Sequence, residues 1–216
     1  DATASSTGGS GADTISGNDV GNSLLGGGGA DSLSGLVGDD YLRGGDGDDL
    51  IDGGAGFDDI NGNQGADTAS GGAGSDWVVG GQQNDKLFGD DGDDIVYGNL
   101  GDDTCDGGGG ADVVRGGQGD DSVSGGAGND WLAGDKGSDT LSGGAGADIF
   151  HIFVGAGADR VVDFNLAEGD KVLLLAGQTY SLTQVGADTV VNLGGGDQLT
   201  LAGVSMSSLT GSNWLA

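Results

Sequence analysis

GGAGNDWLAGDKGSDTLSGGAGADIFH, residues 125–151, is three near-copies of one nine-residue phrase. Each copy opens on glycine, places aspartate sixth (Asp130, Asp139, Asp148) and an apolar residue eighth (Leu132, Leu141, Phe150). The phrase uses residues poorly suited to holding a shape. Glycine loses more chain entropy on folding than any other residue, and crowded carboxylates repel. Traced backwards, the register runs without a gap to Gly8, giving sixteen nonapeptides over residues 8–151. Position one is Gly in all sixteen, and position four is Gly in fourteen, with Val20 and Gln83 as the exceptions. Position six is Asp in fifteen, with Asn22 the lone departure, and position eight is apolar from Ile15 through Ala69 and Cys105 to Phe150.

Composition alone points the other way. The 216 residues include 53 Gly and no Pro, and 35 acidic against 6 basic side chains leave a formal charge of −29. Low hydrophobicity with high net charge is the signature of a disordered acidic segment. A flexible tail does not hold register through sixteen copies, so the period decides for order. Six cations exclude a phosphate-binding groove, and with it nucleic acid. No apolar run approaches the ~20 residues that span a bilayer. A single Cys excludes an internal disulfide framework.

The period prescribes a coil. Glycines at one, two and four permit backbone conformations barred to other residues and close approach between coils. Positions seven to nine are expected as a short strand with side chains alternating across it, so that eight points inward and seven and nine outward. Two turns and two strands close one coil of eighteen residues. Eight stacked coils make a solenoid, roughly 38 Å long at ~4.8 Å per strand layer. The expectation is all-β: a right-handed parallel β-roll with a C-terminal β cap.

Sixteen inward side chains bury too little to offset the ordering of such a glycine-rich chain. The turns supply the missing stabilisation through one carboxylate and several carbonyls each. These are hard oxygen ligands only, the set that Ca²⁺ takes in groups of six to eight, whereas soft-metal sites need Cys or His clusters. Turns from repeats n and n+2 share an edge, so sixteen half-sites allow about fourteen ions, seven per edge. Their +28 nearly cancels −29.

The pattern GGxGxDxUx, with U apolar, resembles the repeats-in-toxin (RTX) nonapeptide, a calcium β-helix repeat. The likeness covers residues 8–151, about two-thirds of the chain. It implies a parallel β-roll that folds on calcium. It also implies export through a type I secretion system of a Gram-negative bacterium, with an uncleaved C-terminal signal and an extracellular or cell-surface destination. By the resemblance the carboxylate ligands are Asp13, Asp31, Asp40, Asp49, Asp58, Asp67, Asp76, Asp85, Asp94, Asp103, Asp112, Asp121, Asp130, Asp139 and Asp148, with Asn22 standing at the same position in repeat two. Asn22 with Val20 is expected to weaken one shared ion, and Gln83 to perturb the turn of the ninth repeat.

After His151 the register slips. VGAGADRVV, residues 154–162, reads as a displaced seventeenth repeat with Asp159 as a further ligand. RVVDFNLAEGDKVLLL, YSLTQV, DTVVNL and DQLTLAGV then read as strands separated by turns, forming a cap over the last apolar layer. The expected division is a lead-in at 1–7, the roll at 8–151, and a capping and secretion-signal segment at 152–216. The last segment resembles the C-terminal part of serralysin-type secreted proteins, which places the export signal in a stretch ending SNWLA.

Outward residues differ between the two sheets. Odd repeats carry mainly Ser and Thr, apart from Leu50 and Phe88. Even repeats carry Tyr41, Trp77, Val79, Ile95, Tyr97, Val113, Trp131 and Ile149. Three readings stand for that row: burial by the chain's own cap, docking of another domain or a neighbouring copy, or sugar stacking on Trp77 and Trp131. Catalysis has no visible machinery. His151 is the only histidine and reads as an outward strand residue, Cys105 reads as a buried small hydrophobe, and neither HExxH nor G-x-S-x-G occurs. Any catalytic domain is expected outside this chain, whose opening DATASSTGGS already adjoins the first repeat. Two functions follow: a calcium-folding and export module of a larger exoprotein, or a self-assembling surface-layer, adhesin or matrix protein.

Overall fold

The structure is a computed structural model that describes residues 5–209, 211 and 213–216. Residues 1–4 of the expected lead-in, and Ser212 of SNWLA, lie outside the described residues. Two sheets face each other across a thin core, in about nine turns. The ten-stranded even sheet starts at Ser5–Thr7 and Ser23–Gly28, takes every second strand to Ile149–Ile152, and ends at Lys171–Leu174. The odd sheet starts at Thr14–Asn18, climbs to Thr140–Ala145 and Ala158–Val161, and is extended to twelve strands by the cap. Roll strands pair in parallel with a shift of eighteen residues, as in Leu87↔Cys105↔Val123. That shift is the coil read from the nonapeptide, and it makes Ser5–Thr7 the first rung of the even sheet rather than a mere lead-in.

Strands are longer than the expected three residues. Leu50–Ala55, for instance, runs through positions seven to nine and on through one to three of the next repeat. The ladder steps over position one and resumes at two: Leu50, Ile51 and Asp52 pair with Thr68, Ala69 and Ser70, then Gly54 with Gly72. Glycine makes this possible in two different ways. Position two takes a positive φ, 104° at Gly72 and 105° at Gly126. Position one does not, yet a Cβ on Gly98 would overlap the Asp103 carboxylate and the Gly116 carbonyl one coil on. The first glycine is therefore a demand of space beside a carboxylate, while the second is a demand of backbone angle and also of space, since a Cβ on Gly72 or Gly126 would overlap the carbonyl of Gly54 or Gly108 one coil below.

Position eight forms the core. Leu24, Leu42, Ile60, Val78, Val96, Val114 and Leu132 are wholly buried on the even side, and the odd side matches them from Ile15 to Leu141. Phe150 and Ile152 carry this stack into the cap, where Phe164, Val172, Val191, Leu199, Leu201 and Trp214 continue it. The cap strands Asp197–Leu201, Asp188–Gly194 and Ser181–Val185 form an antiparallel meander that pairs onto Ala158–Val161. Apart from one 3₁₀ turn, Met206–Ser208, the described residues contain no helix. None is therefore long and apolar enough to cross a membrane.

Candidate metal centre

The position-six aspartates form two continuous ladders, one along each edge. On the odd edge the Asp13 N–H donates to Asp31 Oδ1 at 2.8 Å, Asp31 to Asp49 at 2.8 Å, and so upward to Asp139, which donates to Asp159 Oδ1 at 3.2 Å. On the even edge the Asn22 N–H donates to Asp40 Oδ1 at 2.6 Å, and the series reaches Asp130 to Asp148 at 3.0 Å. Each carboxylate thus spends one oxygen on the N–H of its counterpart one coil below.

The second oxygen has no donor. Among the described residues, Oδ2 is buried and unpartnered in Asp31, Asp49, Asp67, Asp85, Asp103, Asp121 and Asp139 on one edge. The same holds for Asp40, Asp58, Asp76, Asp94, Asp112, Asp130 and Asp148 on the other. A buried anionic oxygen left without a partner is costly. Burial, reinforced by neighbouring aspartates, raises the pKa of Asp58, Asp85, Asp94 and Asp121 to about 7, against an ordinary 3.8. Burial likewise raises Asp67 and Asp130 to about 6.

The surroundings of each orphan oxygen are oxygen-rich. The hypothetical Cβ of every position-one glycine from Gly26 to Gly143 meets a carboxylate Oδ2, and at Gly26, Gly53, Gly98 and Gly125 it also meets the glycine carbonyl one coil on. Among the described residues no three His, Cys, Asp or Glu side chains converge. A metal here would be held by one carboxylate per turn and completed by backbone carbonyls, which is the donor chemistry of a hard cation. Cys105 belongs to the core, where burial pushes its thiol pKa far up. His151 lies on the even face between Trp131 and Phe153, with ring centroids 5.2 and 5.6 Å away.

The odd ladder closes on a protein group at its lower end and the even ladder at both ends. Asp13 Oδ2 accepts the Gly9 N–H at 2.6 Å. At the top of the even edge stands Asp170, which sequence reading missed. It is buried, its Oδ1 accepts the Asp148 N–H at 3.1 Å, and its Oδ2 accepts the Asn165 N–H at 2.8 Å. The signal was present as EGDKV, where Gly169, Asp170 and buried Val172 repeat the turn–strand phrase 22 residues after Asp148 instead of eighteen. Asn22 turns its Oδ1 to the Asn18 N–H at 2.7 Å. Gln83 adopts the left-handed φ of 76° that glycine takes elsewhere at position four.

A second ladder also escaped sequence reading. Wherever position five is Asp or Asn, its Oδ1 accepts the N–H of the position-five residue one coil above. Asp39 holds Phe57, Asp48 holds Ala66, Asn84 holds Asp102, Asp93 holds Ala111, Asp102 holds Asp120, Asp120 holds Ser138 and Asn129 holds Ala147, at 2.8–3.0 Å. These bonds run opposite in sense to those of position six, so the turns that carry both are gripped from both sides.

On the even face the cap covers little. Tyr41, Trp77 and Ile95 are 43 %, 43 % and 38 % exposed, and Val79, Tyr97, Val113, Trp131 and Ile149 are half-buried. The meander prolongs the opposite sheet rather than folding back over this one. Burial by the chain's own cap is therefore overturned as the explanation of the row.

The geometry defines a repeat protein whose stacked turns are built around unpartnered carboxylate oxygens. The family model "RTX calcium-binding nonapeptide repeat (4 copies)" matches in eight overlapping windows, from 7–42 to 124–161. The chain belongs to this calcium-binding repeat family. No curated protein matches the chain. Among solved structures it is similar to the AlgE6R3 subunit of the Azotobacter vinelandii mannuronan C5-epimerase, with 27 % identity, a TM-score of 0.42, and 53 % of this chain and 77 % of that one covered. It is also similar to the extracellular lipase LipA of Serratia marcescens, with 19 % identity, a TM-score of 0.36, and 76 % of this chain covered. The chain spans 45 % of that lipase.

Proposed function

We propose that this chain is a calcium-dependent folding module that acquires its roll outside the cell. The observation that carries the reading is the set of fourteen buried, donorless Oδ2 atoms, seven on each edge. In this reading Asp31 to Asp148 are the ligands, with position-one glycine carbonyls beside them, and about fourteen ions are bound. Calcium supplies positive charge where the backbone offers no donor. The residues do the rest. The position-six N–H ladder holds each carboxylate in place, and the position-one glycine leaves room for it. Asp13 and Asp170 finish the stack with N–H groups of their own turns.

Extracellular calcium modules bind at ~10⁻⁴ to 10⁻³ M, so such sites stay empty in a cytoplasm and fill on export. This supports a role as the folding and export module of a larger exoprotein of a Gram-negative bacterium, secreted by a type I system. The roll would lie at 8–151 and the capping and signal segment at 152–216, with any catalytic domain elsewhere in the parent protein. Circular dichroism during calcium titration tests the reading. A coil-to-β transition reversed by chelation is expected, and a β signal indifferent to chelation would refute it. A second reading, self-assembly at a cell surface, draws on the exposure of Tyr41, Trp77 and Ile95. Calcium-dependent sheets or filaments of the isolated chain would favour it.

A further inference from the structure

The even face carries a trough that calcium ligation does not use. Two open cavities of about 450 and 360 Å³ meet at Asn99. They extend from the strand Asp59–Gln64 to the strand Trp131–Lys136, about 19 Å at ~4.8 Å per strand. The first is lined by Asn61, Asn63, Gln64, Gln82 and Asn99, and the second by Tyr97, Arg115, Gln118, Asp135 and Lys136, with Phe153 at its end. Trp77 and Ile95 stand on the same strands in an exposed row. Asn61 Oδ1 is a buried acceptor with no donor.

We propose that this trough binds a linear, uncharged glycan lying along the roll axis. A sugar hydroxyl both donates and accepts, and so does a carboxamide; six Asn and Gln side chains line the trough. Aromatic faces beside them offer flat apolar surface with polar tips. A protein partner would call for an apolar centre with a polar rim. Here the amides hold the floor, and the apolar side chains of Trp77 and Ile95 stand in a row beside them. The charge balance argues against a polyanion. Four of the six cations, Arg43, Arg115, Lys136 and Lys171, are on even-sheet strands. The trough's arginine is nevertheless neutralised, Arg115 Nε and Nη2 both donating to Asp135 at 2.8 Å, which leaves Lys136 as the one lining cation without an ion pair among the described residues. Arg43, further down the sheet, pairs with Asp59. An aspartate–arginine pair fixed in this way presents the second lone pairs of its two oxygens and its remaining N–H groups to vicinal hydroxyls.

The test is retention of the full calcium-loaded chain on insoluble cellulose, curdlan and mannan, with polygalacturonate beads as the anionic arm. Retention on at least one neutral polymer is expected. Tyr97→Ala with Gln118→Ala should lower it at least tenfold, while Leu50→Ser on the opposite sheet, 55 % exposed, should leave it unchanged. Gln82→Ala with Gln118→Ala alters only exposed side chains and gives a second groove variant, and calcium-induced dichroism reports that each variant folds. The proposal falls if the parent is retained on no neutral polymer, if it is held by polygalacturonate alone, or if the folded groove variants bind like the parent. It also falls if sedimentation shows calcium-dependent dimers abolished by the same variants, which would make a second copy the occupant.

Discussion

Asp94→Asn separates a metal-ligating carboxylate from a merely structural one. Asp94 lies midway along the even edge, 1 % exposed, with Oδ1 accepting the Asp76 N–H at 2.7 Å and Oδ2 unpartnered. Asparagine keeps the shape and that bond, but replaces the charged oxygen by an amide donor. The Gly107 carbonyl is on the same side, since a Cβ on Gly89 would meet both it and Asp94 Oδ2. Without calcium the substitution removes a buried charge and provides a donor for a nearby carbonyl, so the metal-free roll becomes less unfavourable. With calcium it removes a ligand. At ten times the dissociation constant one site contributes RT ln 11, about 1.4 kcal/mol, and a turn shared by two ions loses about twice that. The calcium midpoint is a poor readout: 1.4 kcal/mol spread over about fourteen ions moves it only ~1.2-fold. Urea unfolding at fixed 10 mM calcium, followed by dichroism, reads the loss directly. Asp13→Asn is the control, because its Oδ2 already accepts the Gly9 N–H at the open end of the stack, and surface changes of that kind stay within about 0.5 kcal/mol. Equal stability of Asp94→Asn and the parent in calcium, or equal losses for the two variants, would refute the assignment.

Three further outcomes follow from the geometry. Asp58, Asp85, Asp94 and Asp121 are raised to about 7 in the metal-free roll, so between pH 4 and 7 that roll binds more protons than the coil and gains stability as pH falls; the chelated chain should therefore gain β signal in dichroism between pH 7 and 4, and a signal that falls over that range would contradict the burial of these groups. Gln83→Gly should stabilise the calcium form by about 1 kcal/mol, the ~1–2 kcal/mol left-handed penalty less the added freedom of the unfolded chain, and Asn99→Gly at φ 81° should gain less because asparagine tolerates that region; equal melting of Gln83→Gly and parent would count against strain at this turn. Trp214→Ala should cost about 3–5 kcal/mol in thermal or urea unfolding, since Trp214 is 1 % exposed and its carbonyl accepts the Val172 N–H at 2.8 Å; a variant as stable as the parent would detach the tail from the core.

The period of nine was enough to place every position-eight side chain in the core and every position-six carboxylate on an edge, because a phrase repeated sixteen times without a gap has one way to stack. What it left hidden were features that depend on atoms of the neighbouring coil. The two glycines of the GG pair look alike in sequence. Only the stack distinguishes position one, where a side chain would strike a carboxylate, from position two, where Leu36, Asn63, Asp90, Asn99 and Asp135 all sit at positive φ. Position one, whose Cβ would displace the carboxylate itself, never departs from glycine in this chain, whereas position two does so repeatedly at the same positive φ. Asp170 was hidden by the longer turn from Asn165 to Gly169, which breaks the count while preserving the contact. The even face was ambiguous because patterning shows which residues point outward and not what lies over them.

Asp170 also shows how an end of the stack differs from its interior. A solenoid is stabilised almost wholly by contacts between adjacent turns. In this chain each contact carries a position-six N–H bond together with a like charge buried beside the next, and the first alone does not offset the second. At the lower end of the odd ladder and the upper end of the even one the second oxygen finds a backbone N–H, from Gly9 and from Asn165. Between them fourteen oxygens find none. A donor placed in every turn would close the stack without metal and abolish the difference between the two sides of a membrane. On the proposed reading, leaving the donor out would tie the shape of the chain to the calcium concentration around it, with a steep coupling because no turn is satisfied while its neighbour is still a coil.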